Sequence, residues 1–285
     1  ETLATLTPAE VQAAMQKWMT KPSLTLVLQP GERTGEYEEA ASVEGAGTEE
    51  ADAAPEEITV TKERPAPEIA ALTELDFPDV TETTLSNGIT VYYAQRDAVP
   101  VTRVAISFDA GSAADPLDKR GLEGMTLGLM DEGTTSRTSQ EIAEAKERLG
   151  AAISLGGGND RSTFTLTSLS ANLSPSLDLF TDIVRNPAFD TGELERVRAQ
   201  TITGIQSSLK SPAGIASFVA TPLIYGADNP YGGSATVESV SSITRDDLVE
   251  FKQTWLRPDN ADIFVVSDMA LAEVMPGLEA AFGNW

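Results

Sequence analysis

An Asn-Gly pair at positions 87 and 88 limits the folds that are open to this chain. It joins two segments of strand-like composition, Thr83–Ser86 and Ile89–Tyr93. Asn-Gly is the preferred pair for a tight type I′ turn, whose twist matches that of two antiparallel strands. The pair therefore predicts a β-hairpin with a type I′ turn, and an antiparallel pair at this point argues against a purely parallel sheet.

Strand-like and helix-like segments alternate after this hairpin. The strands are predicted at 101–109, 152–155, 162–168 and 262–266, and the helices near 120–131, 139–149, 174–185, 191–209, 212–224, 244–255 and from Met269 onward. The hairpin and the paired strands between 152 and 168 favour an α+β fold. We expect a mixed, mostly antiparallel sheet with helices packed on one face.

Composition separates an acidic segment, residues 31–76, from its surroundings. Between Glu32 and Glu57, ten acidic residues accompany one basic residue, Arg33. So much charge and so few large apolar side chains cannot offset the entropy lost on ordering. Residues 31–76 are therefore predicted to be a flexible linker; an acidic segment that recruits a basic partner is the alternative.

The linker separates two parts of unequal size. Residues 77–285 are predicted to form the compact domain, and roughly 210 residues suffice for one hydrophobic core. Residues 1–30 contain a helix start, Thr7-Pro-Ala-Glu10, which is a capping box with proline at the first helical position. A β-rich run, Ser23–Gln29, follows it.

The residue counts exclude several classes of function. The chain has no histidine and no cysteine, so the commonest nitrogen and sulfur ligands of zinc are missing, and so is the base of most serine and cysteine proteases. A formal net charge of −24 repels phosphate backbones, so we expect no nucleic-acid partner. No apolar run approaches the roughly 20 residues of a membrane span, so none is expected.

Three short strings imitate catalytic motifs, and structure explains each better. Asp190-Thr-Gly192 occurs once and precedes a helix, so Asp190 or Thr191 is predicted to cap that helix. Ser207-Ser-Leu-Lys210 closes a predicted helix rather than opening one. Gly156-Gly-Gly158 lacks the Gly-Lys-Ser/Thr ending of a phosphate loop and is interpreted as a connection between strands.

The predicted helix within Gly121–Thr134 contains two glycines four residues apart, Gly124 and Gly128. Each costs on the order of 1 kcal/mol relative to alanine inside a helix. Two explanations are open. Either these glycines and Gly204 are inert, being under no selection and letting a facing helix approach closely, which is the reading we favour, or they leave room for an extended peptide.

This segment resembles the zinc-binding helix of the M16 (insulinase and pitrilysin-like) metallopeptidases. In that family it reads Gly-x-x-His-x-x-Glu-His-x-x-x-x-Gly-Thr, where two histidines bind zinc and the glutamate is the general base. Those positions correspond here to Gly124, Leu127 and Gly128. The run Glu193–Arg198 resembles the start of the helix with the third ligand, which corresponds to Gly204. Later segments resemble further family motifs in the right order: Asn229–Gly232, Ser239–Leu248 and Trp255–Asn260.

The resemblance implies an inactive second-half repeat that has lost the His-x-x-Glu-His motif. Its fold would be the M16-like roll (LuxS/MPP-like), and Gly124, Leu127, Gly128 and Gly204 would be a vestigial site with no catalytic residue, metal or cofactor. Residues 1–30 would be the closing helix and strand of a preceding repeat, and 77–285 the leading subdomain of the inactive one. The chain would then be a portion of a longer polypeptide.

The resemblance also implies a function and partners. The parent would be a bacterial zinc endopeptidase, with zinc held by another half of the same polypeptide and peptide substrates enclosed between the halves. This chain, itself inactive, would form part of that chamber. The alternative is a structural or interaction protein with no proteolytic role. The expected location is the periplasm or cell envelope, with the cytoplasm as the alternative.

Overall fold

The computed structural model describes residues 6–21, 24 and 77–285, and the chain divides into two units, Glu1–Ala71 and Leu72–Trp285. In the first unit, helix α1 spans Pro8–Trp18. Its predicted capping box is confirmed: Thr7 Oγ1 accepts from the Glu10 N–H, and the Glu10 carboxylate accepts from the Thr7 N–H at 2.8 Å. Apart from residue 24, the predicted strand at 23–29 and the predicted linker at 31–76 lie outside the described residues.

The second unit contains a six-stranded sheet. Its strands are β1 Val80–Thr84, β2 Thr90–Gln95, β3 Val101–Phe108, β4 Ala152–Gly157, β5 Ser162–Leu169 and β6 Ala261–Ser267. Their order across the sheet is β1-β2-β6-β3-β5-β4. Only β2 and β6 pair in parallel, and all other pairs are antiparallel, so the predicted mixed, mostly antiparallel sheet is confirmed.

Eight α-helices alternate with these strands within residues 77–285. They are α2 Leu122–Met130, α3 Ser139–Leu149, α4 Leu173–Arg185, α5 Thr191–Ser208, α6 Pro212–Tyr225, α7 Val237–Ser242, α8 Arg245–Trp255 and α9 Leu271–Phe282. All were predicted within a few residues except α7, which was missed. Its six residues are too short to show helical periodicity, and the capping box of Thr236 and Ser239 marks its start.

The helices cover one face of the sheet, as predicted. Strand β5 shows the alternation: Phe164 and Leu166 are fully buried, whereas Thr163 and Leu169 on the opposite face are exposed. Large aromatic side chains fill the space between sheet and helices, where the rings of Phe180 and Phe282 meet edge to face at 6.2 Å. This single apolar core holds α2 beside β4 and positions the candidate site.

The hairpin is present, but the predicted type I′ turn is wrong. That turn needs a positive φ at both central residues, whereas Gly88 has φ +93° and Asn87 does not have a positive φ. The loop instead closes through Gly88 N–H to Leu85 O and Leu85 N–H to Ile89 O, both at 2.9 Å. Tertiary contact explains the difference, because Asn87 Nδ2 donates to Phe282 O at the end of α9 at 2.8 Å.

Candidate functional site

Two neighbouring helices, α2 and α5, carry the four positions predicted to form a vestigial site. The helices pack against each other, and Thr201 Oγ1 lies 3.5 Å from Met125 Sδ. At the end of α2, Arg196 Nη2 forms an ion pair with Glu132 Oε1 at 2.6 Å. Gly204 lies one turn beyond Thr201. The expected placement of the two helices side by side is therefore observed.

The space around the glycines argues against close helix packing as their cause. A Cβ atom built on Gly124 or on Gly204 meets no atom within 4 Å, and one on Gly128 meets Val197 Cγ1 at 3.9 Å, an ordinary contact. The favoured explanation, that glycine lets the facing helix approach closely, is therefore wrong for Gly124 and Gly204. Both positions face open space.

Leu127 differs from the three glycines because it belongs to the core. It is 4% exposed and lies within the hydrophobic cluster beneath the sheet. A carboxylate at this position would lose its hydration and gain apolar neighbours, which is costly. Leu127, the position predicted to correspond to the general base, therefore serves the packing of the domain.

Two buried carboxylates lie at the start of α2, where the sequence analysis had proposed none. Asp115, 8% exposed, accepts from the backbone N–H groups of Gly121 and Glu123, both at 2.8 Å. Glu123, 6% exposed, accepts from Ser162 Oγ at 2.8 Å. Asp115 therefore caps the helix, and Glu123 ties the helix to strand β5.

Burial raises the pKa of both carboxyl groups. The pKa of Asp115 is raised to about 6, because desolvation outweighs the backbone hydrogen bonds and the nearby charge of Arg120. Desolvation likewise raises the pKa of Glu123; the hydrogen bond from Ser162 opposes this, and the charge of Asp115 adds to it. Burial thus disfavours the ionised form of both carboxyl groups at the start of α2.

Two glycines outside α2 make room for charged side chains. A Cβ on Gly157 of β4 would lie 1.5 Å from Glu123 Oε1, and one on Gly233 would lie 2.0 Å from Arg120 Nη1. Arg120 Nη2 donates to Ala227 O at 2.8 Å and Asn229 O at 3.1 Å. Gly157 explains part of the Gly-Gly-Gly string, which forms the end of β4 and its turn into β5, as predicted.

These side chains line a groove of about 480 Å³ at the start of α2. Its floor and walls include Asp115, Arg120, Glu123, Gly124, Tyr225 and Tyr231. The Tyr231 hydroxyl donates to Asp160 in the β4–β5 turn, and this bond joins the loop after α6 to the sheet. The groove therefore combines segments that are far apart in the sequence.

Comparison with known proteins places the chain in a family. The family model "Insulinase (Peptidase family M16)" matches residues 90–217, and "Peptidase M16 inactive domain" matches residues 242–285. The chain belongs to the M16 peptidase family. Within this family it lacks the His-x-x-Glu-His motif, as the sequence analysis expected.

Individual M16 proteins show the same relationship. A probable mitochondrial-processing peptidase subunit beta of Arabidopsis thaliana is 26% identical over 63% of this chain and 34% of its own length. Cytochrome b-c1 complex subunit 1 of Bos taurus is 23% identical over 61% of this chain and 36% of its own length. The crystal structure of a peptidase M16 inactive domain from Pseudomonas fluorescens superposes with a TM-score of 0.67 at 26% identity, over 71% of this chain and 50% of that one.

The chain thus spans about a third of the length of the curated relatives that it matches first. The superposition confirms the predicted M16-like α+β roll. None of the helices in residues 6–21 and 77–285 combines the length and apolar character needed to cross a bilayer.

The zinc of M16 peptidases does not fit the residues present at the corresponding positions. Gly124, Leu127, Gly128 and Gly204 offer no ligand atom, and the chain has no histidine or cysteine to replace them. Within the described ranges, no three Asp or Glu side chains are grouped so that they could hold a metal ion. The assignment of Gly124, Gly128 and Gly204 as former ligand positions, and of Leu127 as the former base position, stays a prediction.

The short motifs have the structural roles predicted for them. Asp190 caps α5, because its Oδ1 accepts from the N–H groups of Gly192 at 2.7 Å and Glu193 at 3.2 Å. The Ser207–Lys210 string closes α5, where the Lys210 N–H donates to Ser207 O at 3.1 Å. The sequence analysis missed Asp115, Arg120 and Glu123. Two glycines that lie far from them in the sequence, Gly157 and Gly233, were an indirect signal, because each leaves space for one of the charged side chains.

Proposed function

We propose that this chain supplies a non-catalytic half of a two-half bacterial M16 zinc endopeptidase. One observation supports the proposal: helices α2 and α5 lie side by side, and the four positions predicted to correspond to the zinc ligands and base of the family are three glycines and a core leucine. A domain that has this helix pair but no zinc ligands is better suited to enclosing a peptide than to cleaving it. Zinc and the cleavage step would belong to the other half of the same polypeptide.

The parent polypeptide would then be a zinc metalloendopeptidase that cleaves peptides enclosed between its halves. The share of each relative that this chain spans supports the idea that further domains complete the parent. The formal net charge of −24 supports neutral or basic peptides as substrates. We further propose a location in the periplasm or cell envelope, which fractionation of the source cells would test.

The experiment compares the parent polypeptide with this chain. The purified parent should contain one zinc per polypeptide after dialysis and should cleave unfolded peptides, and a chelator should abolish cleavage until zinc is restored. The chain alone should neither retain zinc nor cleave the same peptides. A parent without zinc and without peptidase activity would contradict the proposal, and so would one tightly held zinc in the isolated chain.

A structural or interaction role is the second candidate. The similarity to subunit 1 of the bovine cytochrome b-c1 complex favours it, because that name describes a component of an assembly. In that case the parent would purify with stoichiometric partner proteins and would show no zinc-dependent cleavage. Zinc content, peptide cleavage and partner stoichiometry together separate the two functions.

A further inference from the structure

Helix α6, Pro212–Tyr225, presents an apolar surface that no other part of the described structure buries. Ile215, Val219 and Leu223 recur at intervals of four residues, so they lie on one face of the helix. They are 48%, 46% and 80% exposed, and no residue of α6 is buried. An apolar stripe on a helix usually faces a core, so this one is suited to being covered by another surface.

The composition of α6 favours a protein surface as its partner. The helix contains no Lys, Arg, Asp or Glu, although these residues make up 22% of the whole chain. Helices that lie on membranes carry Lys and Arg on their polar face, and a chain of net charge −24 is repelled by anionic lipids. An uncharged helix of this kind instead fits the apolar surface of another protein layer.

The same unit has a second apolar surface that the described residues leave uncovered, on the face of the sheet opposite the helices. We call it the bare sheet face. Phe264 and Val266 of β6 are 43% and 41% exposed there, and the rings of Phe264 and Tyr92 stack at 5.2 Å. The strand register places Val80 of β1 and Leu169 of β5, 64% and 47% exposed, on the same face. A sheet face that meets water is normally polar, so the apolar part of this face is also suited to being covered.

The two surfaces together are large enough for a stable dimer, whereas either one alone is not. Ile224 and Tyr225, 71% and 55% exposed, extend the apolar surface of α6. With roughly 150–200 Å² for each large apolar side chain, the exposed fractions of both surfaces amount to roughly 750–1,000 Å² per copy. A standard protein interface removes roughly 800 Å² from each partner. The area therefore favours an arrangement that buries both surfaces at once.

We propose that two copies of this chain associate about a twofold axis, with α6 of each copy packed on the bare sheet face of the other. Twofold symmetry makes such an exchange self-complementary, because each copy offers one helix and accepts one. A single kind of contact then buries both surfaces in both copies. This association goes beyond the proposed function and depends on neither zinc nor proteolysis.

One charged side chain on the bare sheet face indicates how α6 lies on it. Arg103 is paired with Val266 across the ladder of β3 and β6, and it forms no ion pair among the described residues. The last carbonyl groups of α6 form the negative end of the helix dipole. Asp228, three residues beyond the helix, also has no ion pair within residues 77–285. In the dimer, Arg103 of one copy therefore faces the C-terminal end of α6 in the other.

Sedimentation equilibrium of the full chain of 285 residues tests the dimer. As the protein concentration increases, the measured mass should rise from the 30.2 kDa of one chain toward twice that value. Added salt should strengthen the association, because the contacts are mostly apolar and salt screens the repulsion between two chains of net charge −24.

Three matched substitutions locate the contact. Leu223→Lys places a charge on α6 and Val266→Glu places one on the bare sheet face, and each should raise the dissociation constant of the dimer by about tenfold or more. A mixture of these two variants should associate more tightly than either alone, because one helix–sheet contact of the mixed dimer is unmodified and lysine faces glutamate in the other. Met15→Lys, at a 50% exposed position of α1, should leave the dissociation constant unchanged. Thermal melts should show all three variants folded, since each position is exposed in a single copy.

A chain that keeps the mass of a monomer at every concentration overturns the inference, and binding of that monomer to phosphatidylcholine vesicles would assign α6 to a lipid surface instead. Weaker association of Leu223→Lys without any effect of Val266→Glu would mean that α6 packs on α6, which refutes the exchange. Weaker association of Met15→Lys would place the contact on α1 and refute it as well. Association that both single variants weaken and their mixture restores would establish the exchange.

Discussion

Replacing Gly124 of α2 or Gly204 of α5 by alanine should stabilise the domain, although both were predicted to correspond to zinc-ligand positions of the family. A Cβ at Gly124 or Gly204 enters open space, so the substitution adds no clash. Alanine loses less backbone entropy than glycine on forming a helix. The unfolded state therefore becomes less favourable, and no native contact is lost.

The magnitude differs between the two positions. Gly204 lies in the interior of the 18-residue helix α5, where the full difference of about 1 kcal/mol applies. Gly124 is the third residue of α2, close to a helix end, so we expect about 0.5 kcal/mol. The two sites share no contact, so the double variant should gain about 1.5 kcal/mol.

Equilibrium unfolding in urea measures these gains in the free energy of unfolding. If the dependence of that free energy on urea concentration is unchanged, the variants expose the same surface on unfolding as the wild type. In a domain of this size the double variant should melt about 3–6 °C higher. A loss of stability at either position would refute the reasoning, because it would mean that a neighbouring group occupies the space described as open. Strong non-additivity would indicate a contact shared between the two sites.

The remaining predictions concern the buried polar groups. Gly157→Ala should destabilise the domain by about 1 kcal/mol, because its Cβ would displace the Glu123 carboxylate and break its hydrogen bond from Ser162; urea unfolding checks this, and an unchanged midpoint would contradict it. The pKa of Asp115 is raised from its ordinary value of 3.8 to about 6, so the protonated carboxyl group stabilises the folded state. This contribution to the free energy of unfolding is fully present below pH 3.8 and is lost as pH rises through about 6. The stability of the wild type relative to Asp115→Asn should therefore fall by about 2.4 kcal/mol between about pH 4 and 7, and a flat difference would refute the shift. Burial opposes ionisation of Asp182, but hydrogen bonds that include those from Asn186 and Thr134 lower its pKa overall. The ionised carboxylate therefore stabilises the folded state at neutral pH, and this stabilisation is lost in acid. Asp182→Asn should cost about 1–3 kcal/mol at neutral pH and progressively less as pH falls, and a cost that does not change with pH would contradict this.

Local patterns predicted most of the elements because helices and strands have their own periodicities. The capping box at Thr7 and the cap at Asp190 were both predicted from neighbouring residues. The hairpin was predicted for the same reason. Its turn type was not, because Asn87 bonds to Phe282, which lies almost 200 residues later in the chain.

The groove illustrates what local patterns cannot predict. Asp115 and Glu123 are charged residues in an ordinary polar context, and nothing in their neighbourhood marks them as buried. They meet Gly157, Ser162 and Tyr231 only because the sheet and the loop after α6 fold over α2. Contacts between distant segments depend on the whole arrangement of elements, so they leave only indirect signals, such as a glycine in a strand.

The sequence by itself determined the family, the type of fold and the absence of histidine and cysteine ligands, because each depends on residue identity and on spacing along the chain. Only the tertiary structure decided that Leu127 is core, that Gly124 and Gly204 face open space, and that Gly124 forms the floor of a charged groove. The reason is that a residue type specifies which bonds it can make, whereas its neighbours in space determine which of them it makes.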